Sequence, residues 1–197
     1  MTSRTSHILV VFSAFVGGLV LFLGVILYMT DYQGTVGGPS AIGGPFKLID
    51  QDGKPITDQD FKGRPFLVFF GYTHCPDICP TTLFELSEVL RALGKDADRV
   101  NALFVTVDPE RDTAAAMKDY LSSFDPHLRG ATGDRKAIDT AEKEYRVYAK
   151  KIPADNGDYS MDHTALVYLM DKHGRFIAPF KLDRKPEAAA ADLRRYL

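Results

Sequence analysis

Two kinds of hydrophobic pattern divide the chain. Residues 8–29, ILVVFSAFVGGLVLFLGVILYM, are apolar without a single charge. That length suits a helix crossing a hydrocarbon layer of about 30 Å, so the pattern predicts a membrane span. The apolar core of a cleaved signal peptide is shorter, about 7–15 residues, and ends in small residues, whereas this run closes on Leu27, Tyr28 and Met29. Residues 30–44 follow, with Gly34, Gly37, Gly38, Gly43, Gly44 and Pro39 offering almost nothing to bury. They read as a tether with an end-to-end reach of about 20 Å.

From residue 45 the pattern becomes that of a packed domain. PFKLIDQDGKPIT reads as two short strands around an Asp52–Gly53 turn. Phe66–Phe70 and Ala102–Val107 are continuous apolar runs, as in strands buried on both faces. Between them Leu83, Leu86, Leu90 and Leu93 recur at helical spacing until Gly94 stops the helix, which Pro80 places near its own position as a starting point. Met117, Tyr120, Leu121 and Phe124 mark a second helix, and Ile138, Ala141, Tyr145 and Tyr148 a third, each turned to the core. TALVYLM and RFIAPF flank a DKHG turn, and a short helix runs from Pro186. Strand, helix, strand, connecting helices, hairpin and terminal helix is a thioredoxin-like order. The predicted fold class is therefore α/β, thioredoxin-like with an N-terminal β-hairpin, preceded by one transmembrane helix. Such a sheet places its reactive site where FLVFFGY hands over to a helix N-terminus.

Charge decides orientation and excludes some partners. Lysine and arginine number 24 against 26 acidic residues, a formal charge of -2, which leaves no electrostatic footprint for nucleic acid or an anionic lipid surface. Arg4 and the terminal amine precede the span and Asp31 follows it. The positive-inside tendency then keeps residues 1–7 in the cytoplasm and sends residues 45–197 across. A tail of that length has no room for an Arg-rich transit sequence. The expectation is a single-pass protein of a bacterial inner membrane, its C-terminal domain in the periplasm, where a cysteine pair can cycle between oxidised and reduced forms.

The chain holds two cysteines, Cys75 and Cys79, in GYTHCPDICPTTL, at the predicted site edge. A structural disulfide there would close a small loop and gain little chain entropy. Pro76, Asp77 and Pro80 around them favour exposure over burial as small hydrophobes. A helix N-terminus favours thiolate, which serves nucleophilic attack and metal binding alike. Thiol–disulfide oxidoreductases usually separate their cysteines by two residues, and here there are three. A peroxidase of the peroxiredoxin type would carry threonine or serine at position 72, which is Tyr72. The redox and metal readings both stay open.

A metal needs a further donor, and five histidines are available. His7 falls across the membrane, while His127 and His173 read as surface loop residues. His74 neighbours Cys75, but consecutive side chains diverge, so it packs or bonds nearby rather than coordinating. His163, in DYSMDHTALVYLM just ahead of a strand, is the better candidate. Met161 could be an extra soft donor, though packing is the simpler role; Asp77 and Asp162 are candidate supports for the thiols and the imidazole, and Asp108 shapes its loop.

Together GYTHCPDICPTTL at 71–83, FVTVDPERDT at 104–113 and DHTALVYLMD at 162–171 resemble the Sco/SenC family of copper chaperones. The resemblance covers the whole domain and the N-terminal anchor. It implies copper held by Cys75, Cys79 and His163. It also implies assembly of the dinuclear copper centre in cytochrome c oxidase subunit II, a metallochaperone role rather than an enzyme's turnover. Soft thiolates select Cu(I), and imidazole accepts Cu(I) or Cu(II). The alternative is a thiol–disulfide oxidoreductase that uses Cys75 and Cys79 to keep the acceptor cysteines reduced; other copper chaperones and thiol reductants are further candidate partners.

Overall fold

The computed structural model describes residues 13–26, 42–154 and 157–197. The chain divides into two compact units, 1–40 and 41–197. In the first, residues 13–26 form a helix, α1, with exposed side chains. Among the described residues no helix is long and apolar enough to cross a membrane; residues 8–12 and 27–29 of the predicted span, the tail 1–7 and the tether up to residue 41 lie outside them.

The second unit is built on a seven-stranded sheet. Its strands are β1 (Lys47–Asp50), β2 (Pro55–Thr57), β3 (Phe66–Gly71), β4 (Asn101–Thr106), β5 (Leu128–Thr132), β8 (Val167–Met170) and β9 (Phe176–Pro179), ordered β2-β1-β5-β4-β3-β8-β9. β6 (Ala149–Pro153) and β7 (Tyr159–His163) pair separately as an antiparallel hairpin. The helices are α2 (Ile78–Leu93), α3 (Ala114–Leu121), α4 (Arg135–Glu144) and α5 (Pro186–Arg194).

The continuous apolar runs are indeed the central strands. Every residue of β3 is buried, and β3 pairs in parallel with β4 from Phe66↔Asn101 to Gly71↔Thr106. A parallel pair needs a crossover, which α2 supplies with Leu83, Leu86, Leu90 and Leu93 buried. β8 adds to the other edge of β3 in antiparallel register, and β1 to β5 likewise. The Asp52–Gly53 and DKHG turns close the β1–β2 and β8–β9 hairpins as expected, with Gly53 and Gly174 at positive φ.

Three strands were not predicted. β5, LRGAT, falls where only a connection between helices was expected. A side chain at its Gly130 would press within 2.7 Å of Leu121 and 3.0 Å of Met117, so the strand carries glycine to let α3 lie against the sheet, and its apolar signal is lost. The β6–β7 hairpin also lacks such a signal, because β6 is exposed along nearly its whole length. The third helix stops sooner than predicted: Tyr145 is its C-cap and is buried, but Arg146 turns the chain at φ 54 and leaves Tyr148 53% exposed, outside the core. Phe124 lies beyond the end of α3, although it still packs on Tyr120.

Candidate metal centre

The end of β3 makes room for a sulfur. A methyl group at Gly71 would sit 2.7 Å from Cys79 Sγ and 2.8 Å from the Phe104 ring, so glycine is what lets Cys79 reach the sheet. The chain then turns through Tyr72–Asp77, with Cys75 N–H donating to the Tyr72 carbonyl at 3.3 Å. α2 opens at Ile78, two residues before the position Pro80 suggested. Its first backbone bond is from Thr81 N–H to Asp77 carbonyl, so Pro80 occupies a first-turn site where a missing N–H costs nothing. Cys79 thereby lies inside the first turn, wholly buried, and Cys75 just ahead of it, partly exposed. The expectation of two exposed cysteines is corrected for Cys79, whose volume is claimed by the core beneath β3.

His163 arrives from the opposite side as the last residue of β7, three residues short of β8. Its ring meets Tyr72 and Phe69 edge-on, with centroids at 5.8 and 6.3 Å. Nδ1 lies 3.2 Å from the Thr164 carbonyl. As a donor there, it leaves the Nε2 lone pair directed to Cys79 Sγ, 3.6 Å away. Cys79 N–H in turn points at Cys75 Sγ, at 3.4 Å. The three donor atoms of Cys75, Cys79 and His163 all lie within 4.8 Å of one another, the one such group found among the described residues.

Burial sets the protonation of this pocket. It pushes the Cys79 thiol well up, against the opposing pull of a backbone hydrogen bond from Tyr72, with Cys75 adding to the rise. The expected acidifying effect of the helix N-terminus does not prevail at Cys79, because the low-dielectric surroundings outweigh a partial charge. Burial also pushes the His163 imidazolium down, partly offset by the Thr164 carbonyl and the Asp162 charge. Imidazole and buried thiol are thus both neutral at pH 7, and a cation entering the pocket must displace the Cys79 proton.

The remaining candidates stand outside the donor set. Asp77 caps α2 without a side-chain bond and is exposed; Asp162 is exposed and reaches His163 through its charge. Met161 is half-buried against the core, and its backbone hydrogen-bonds Tyr72. His74 is exposed, 3.0 Å from the Thr73 hydroxyl. His127 bridges Asp125 and Asp98, and His173 sits in the β8–β9 turn; His7 is outside the described residues.

Asp112 escaped the sequence reading. It is wholly buried and accepts from Thr73 N–H at 3.0 Å and from the Thr73 and Thr106 hydroxyls at 2.6 Å each, which ties the cysteine turn to the end of β4. Its signal was a polar residue repeated in DPERD, directly after a central strand, where the site edge was already expected.

Fold and donor set define a thioredoxin-like domain with a pocket of two thiols and an imidazole, suited to a soft or borderline metal ion. The sequence profile of the SCO1/SenC family matches residues 34–197, and the chain belongs to that family. A SCO2-like protein of Rickettsia conorii is 38% identical over 155 residues, covering 78% of this chain and 76% of its own. The solved structure of Bradyrhizobium japonicum ScoI, described as having copper bound, is 68% identical, with a TM-score of 0.78 over 79% of this chain and 99% of its own. The fold extends to BsSco, 23% identical with a TM-score of 0.62 over 79% of this chain and 94% of its own. That protein is described as having a disulfide switch and as a member of the Sco family of cytochrome c oxidase assembly proteins.

Proposed function

We propose that this chain is a membrane-anchored copper metallochaperone that binds copper through Cys75, Cys79 and His163 and delivers it to the dinuclear copper centre of cytochrome c oxidase subunit II. The convergence of the three donor atoms within 4.8 Å carries this reading. Two sulfurs and one imidazole satisfy Cu(I) and leave an open position, whereas a structural zinc site would fill four. An open position lets an acceptor thiolate bind the ion before a donor here is released, so copper passes by ligand exchange. The domain's part is to hold the imidazole neutral and oriented, and to give up the Cys79 proton as copper arrives. Family membership and the copper-bound relative support the cargo; the apolar stretch 8–29 supports a single-pass inner-membrane anchor, with residues 1–7 in the cytoplasm, 30–44 as tether and the head in the periplasm.

The test is anaerobic titration of the reduced head with Cu(I) against a chromogenic chelator. One tightly held ion per chain is expected, with binding weakened at least about tenfold, or 1.4 kcal/mol, by His163→Ala. Equal affinity in that variant would remove the histidine from the site.

A second reading rests on the approach of the two sulfurs. The Sγ atoms of Cys75 and Cys79 lie within 4.8 Å of one another, so a small shift of the exposed turn would let the pair close a disulfide while passing two electrons and two protons to a disulfide on an acceptor. That activity would need both cysteines and not His163. Stopped-flow reduction of an oxidised acceptor peptide separates the readings: a rate no higher than that of a small dithiol excludes it.

A further inference from the structure

The loop between β4 and α3, residues 107–113, touches both halves of the candidate metal centre. Asp112 grips the cysteine turn through Thr73. At the near end of the same loop, buried Asp108 accepts from Arg111 Nε at 2.5 Å and from the Tyr159 hydroxyl at 2.9 Å. Tyr159 is the first residue of β7, the strand that ends in His163.

Arg111 reinforces the attachment. Its Nη1 donates to the Tyr159 carbonyl and to the Asp158 carboxylate, each at 3.1 Å, and the guanidinium lies 3.7 Å from the Tyr159 ring centroid. Lys151 of β6 covers that ring at 3.9 Å and pairs with Glu110 of the loop at 2.6 Å. The guanidinium also stands 5.8 Å from the Tyr72 ring, which packs against the His163 imidazole. Arg111 Nη2 is buried with no partner among the described residues, a desolvation cost that the other contacts must offset. β6 contributes little packing of its own, and β7 alternates between half-buried and exposed. Polar attachment to the loop therefore does what a buried apolar face does for the other strands.

The geometry points to a latch: Asp108, Arg111 and Tyr159 are positioning residues that fasten the β6–β7 hairpin to the head and so hold His163 over the cysteine pair, with a single loop setting the distance between the imidazole and both sulfurs. The copper side of this inference rests on the metallochaperone reading above; the geometric side does not. Opening the latch withdraws the imidazole and leaves the two thiols, since Asp112 secures the cysteine turn separately through Thr73 and Cys79 is packed in the core at the start of α2. Cu(II), which depends on the nitrogen donor, then loses affinity, while Cu(I), held by sulfur, loses less.

The test uses the reduced protein with Tyr159→Ala, which removes hydroxyl and ring from a partly exposed site, and Tyr159→Phe, which removes the bond to Asp108 alone. Ile138→Val, a buried change on α4, serves as a comparison of similar stability loss. In the metal-free protein, nuclear Overhauser contacts between the His163 and Tyr72 rings should be lost in Tyr159→Ala, weakened in Tyr159→Phe and kept in Ile138→Val. Buffered Cu(II) titration should show affinity at least about tenfold lower in Tyr159→Ala, approaching that of His163→Ala, with a smaller change for Cu(I) against a chelator. Ring contacts retained in Tyr159→Ala, or equal losses for the two oxidation states, would overturn the latch. Failure of the parent to bind either ion would instead sink the metallochaperone reading, and the ring contacts would still decide the latch.

Discussion

Gly71 and Cys79 compete for one volume. With Cys79 Sγ at 2.7 Å and Phe104 at 2.8 Å from the place a methyl would take, Gly71→Ala must push the sulfur or the ring aside. The expected cost is about 1–3 kcal/mol in urea unfolding, with copper affinity lowered as the sulfur moves. Cys79 also links stability to pH. Burial raises its thiol above the ordinary cysteine value of about 8.5, so below that value native and unfolded chains hold the proton alike. Above it the unfolded chain ionises first, and the stability the buried thiol contributes is lost as pH rises. The urea midpoint of metal-free protein should fall between about pH 8.5 and 10 more steeply in the parent than in Cys79→Ala. Parallel profiles would mean that the thiol ionises in the folded state as it does in solvent. His163 acts at the other end: its lowered value gives stability that is present above about pH 6.5 and is lost on acidification.

Among the elements, legibility followed the source of each one's stability. β3, β4 and α2 fold by burying their own apolar residues, so periodicity displayed them and placed the cysteines at the correct sheet edge. β5 depends on what it lacks, a side chain at Gly130, and the β6–β7 hairpin depends on bonds to residues some fifty positions away, such as Tyr159 to Asp108. No local window contains that information. The three residues that meet in the pocket were nameable beforehand, Cys75 and Cys79 as two cysteines in one turn at the sheet edge and His163 through the family resemblance, whereas the burial of Cys79 became visible only with β3 and Phe104 around it. Asp112 belongs at this scale because it joins three elements. Asp112→Ala removes acceptors for Thr73 N–H and for the hydroxyls of Thr73 and Thr106 in a buried setting. A loss of about 3 kcal/mol or more is expected in chemical denaturation, with the cysteine turn loosened. A loss below about 0.5 kcal/mol, the range of ordinary surface changes, would show that the turn is held by other means.

For the whole molecule, the head carries its own core and is a compact unit apart from residues 1–40. Deleting residues 1–41 should therefore leave folding and copper affinity within about twofold of the full chain, or roughly 0.4 kcal/mol, while moving the protein from the membrane to the soluble fraction. Recovery of the full-length chain in the soluble fraction would contradict the anchor.

X-ray absorption at the copper edge reads the coordination directly. For the reduced, Cu(I)-loaded head, two sulfur scatterers and one nitrogen of an imidazole are expected, with the nitrogen lost in His163→Ala and one sulfur lost in either cysteine variant. A first shell of sulfur alone in the parent, unchanged by His163→Ala, would contradict a single ion shared by the cysteine turn and the hairpin that carries His163.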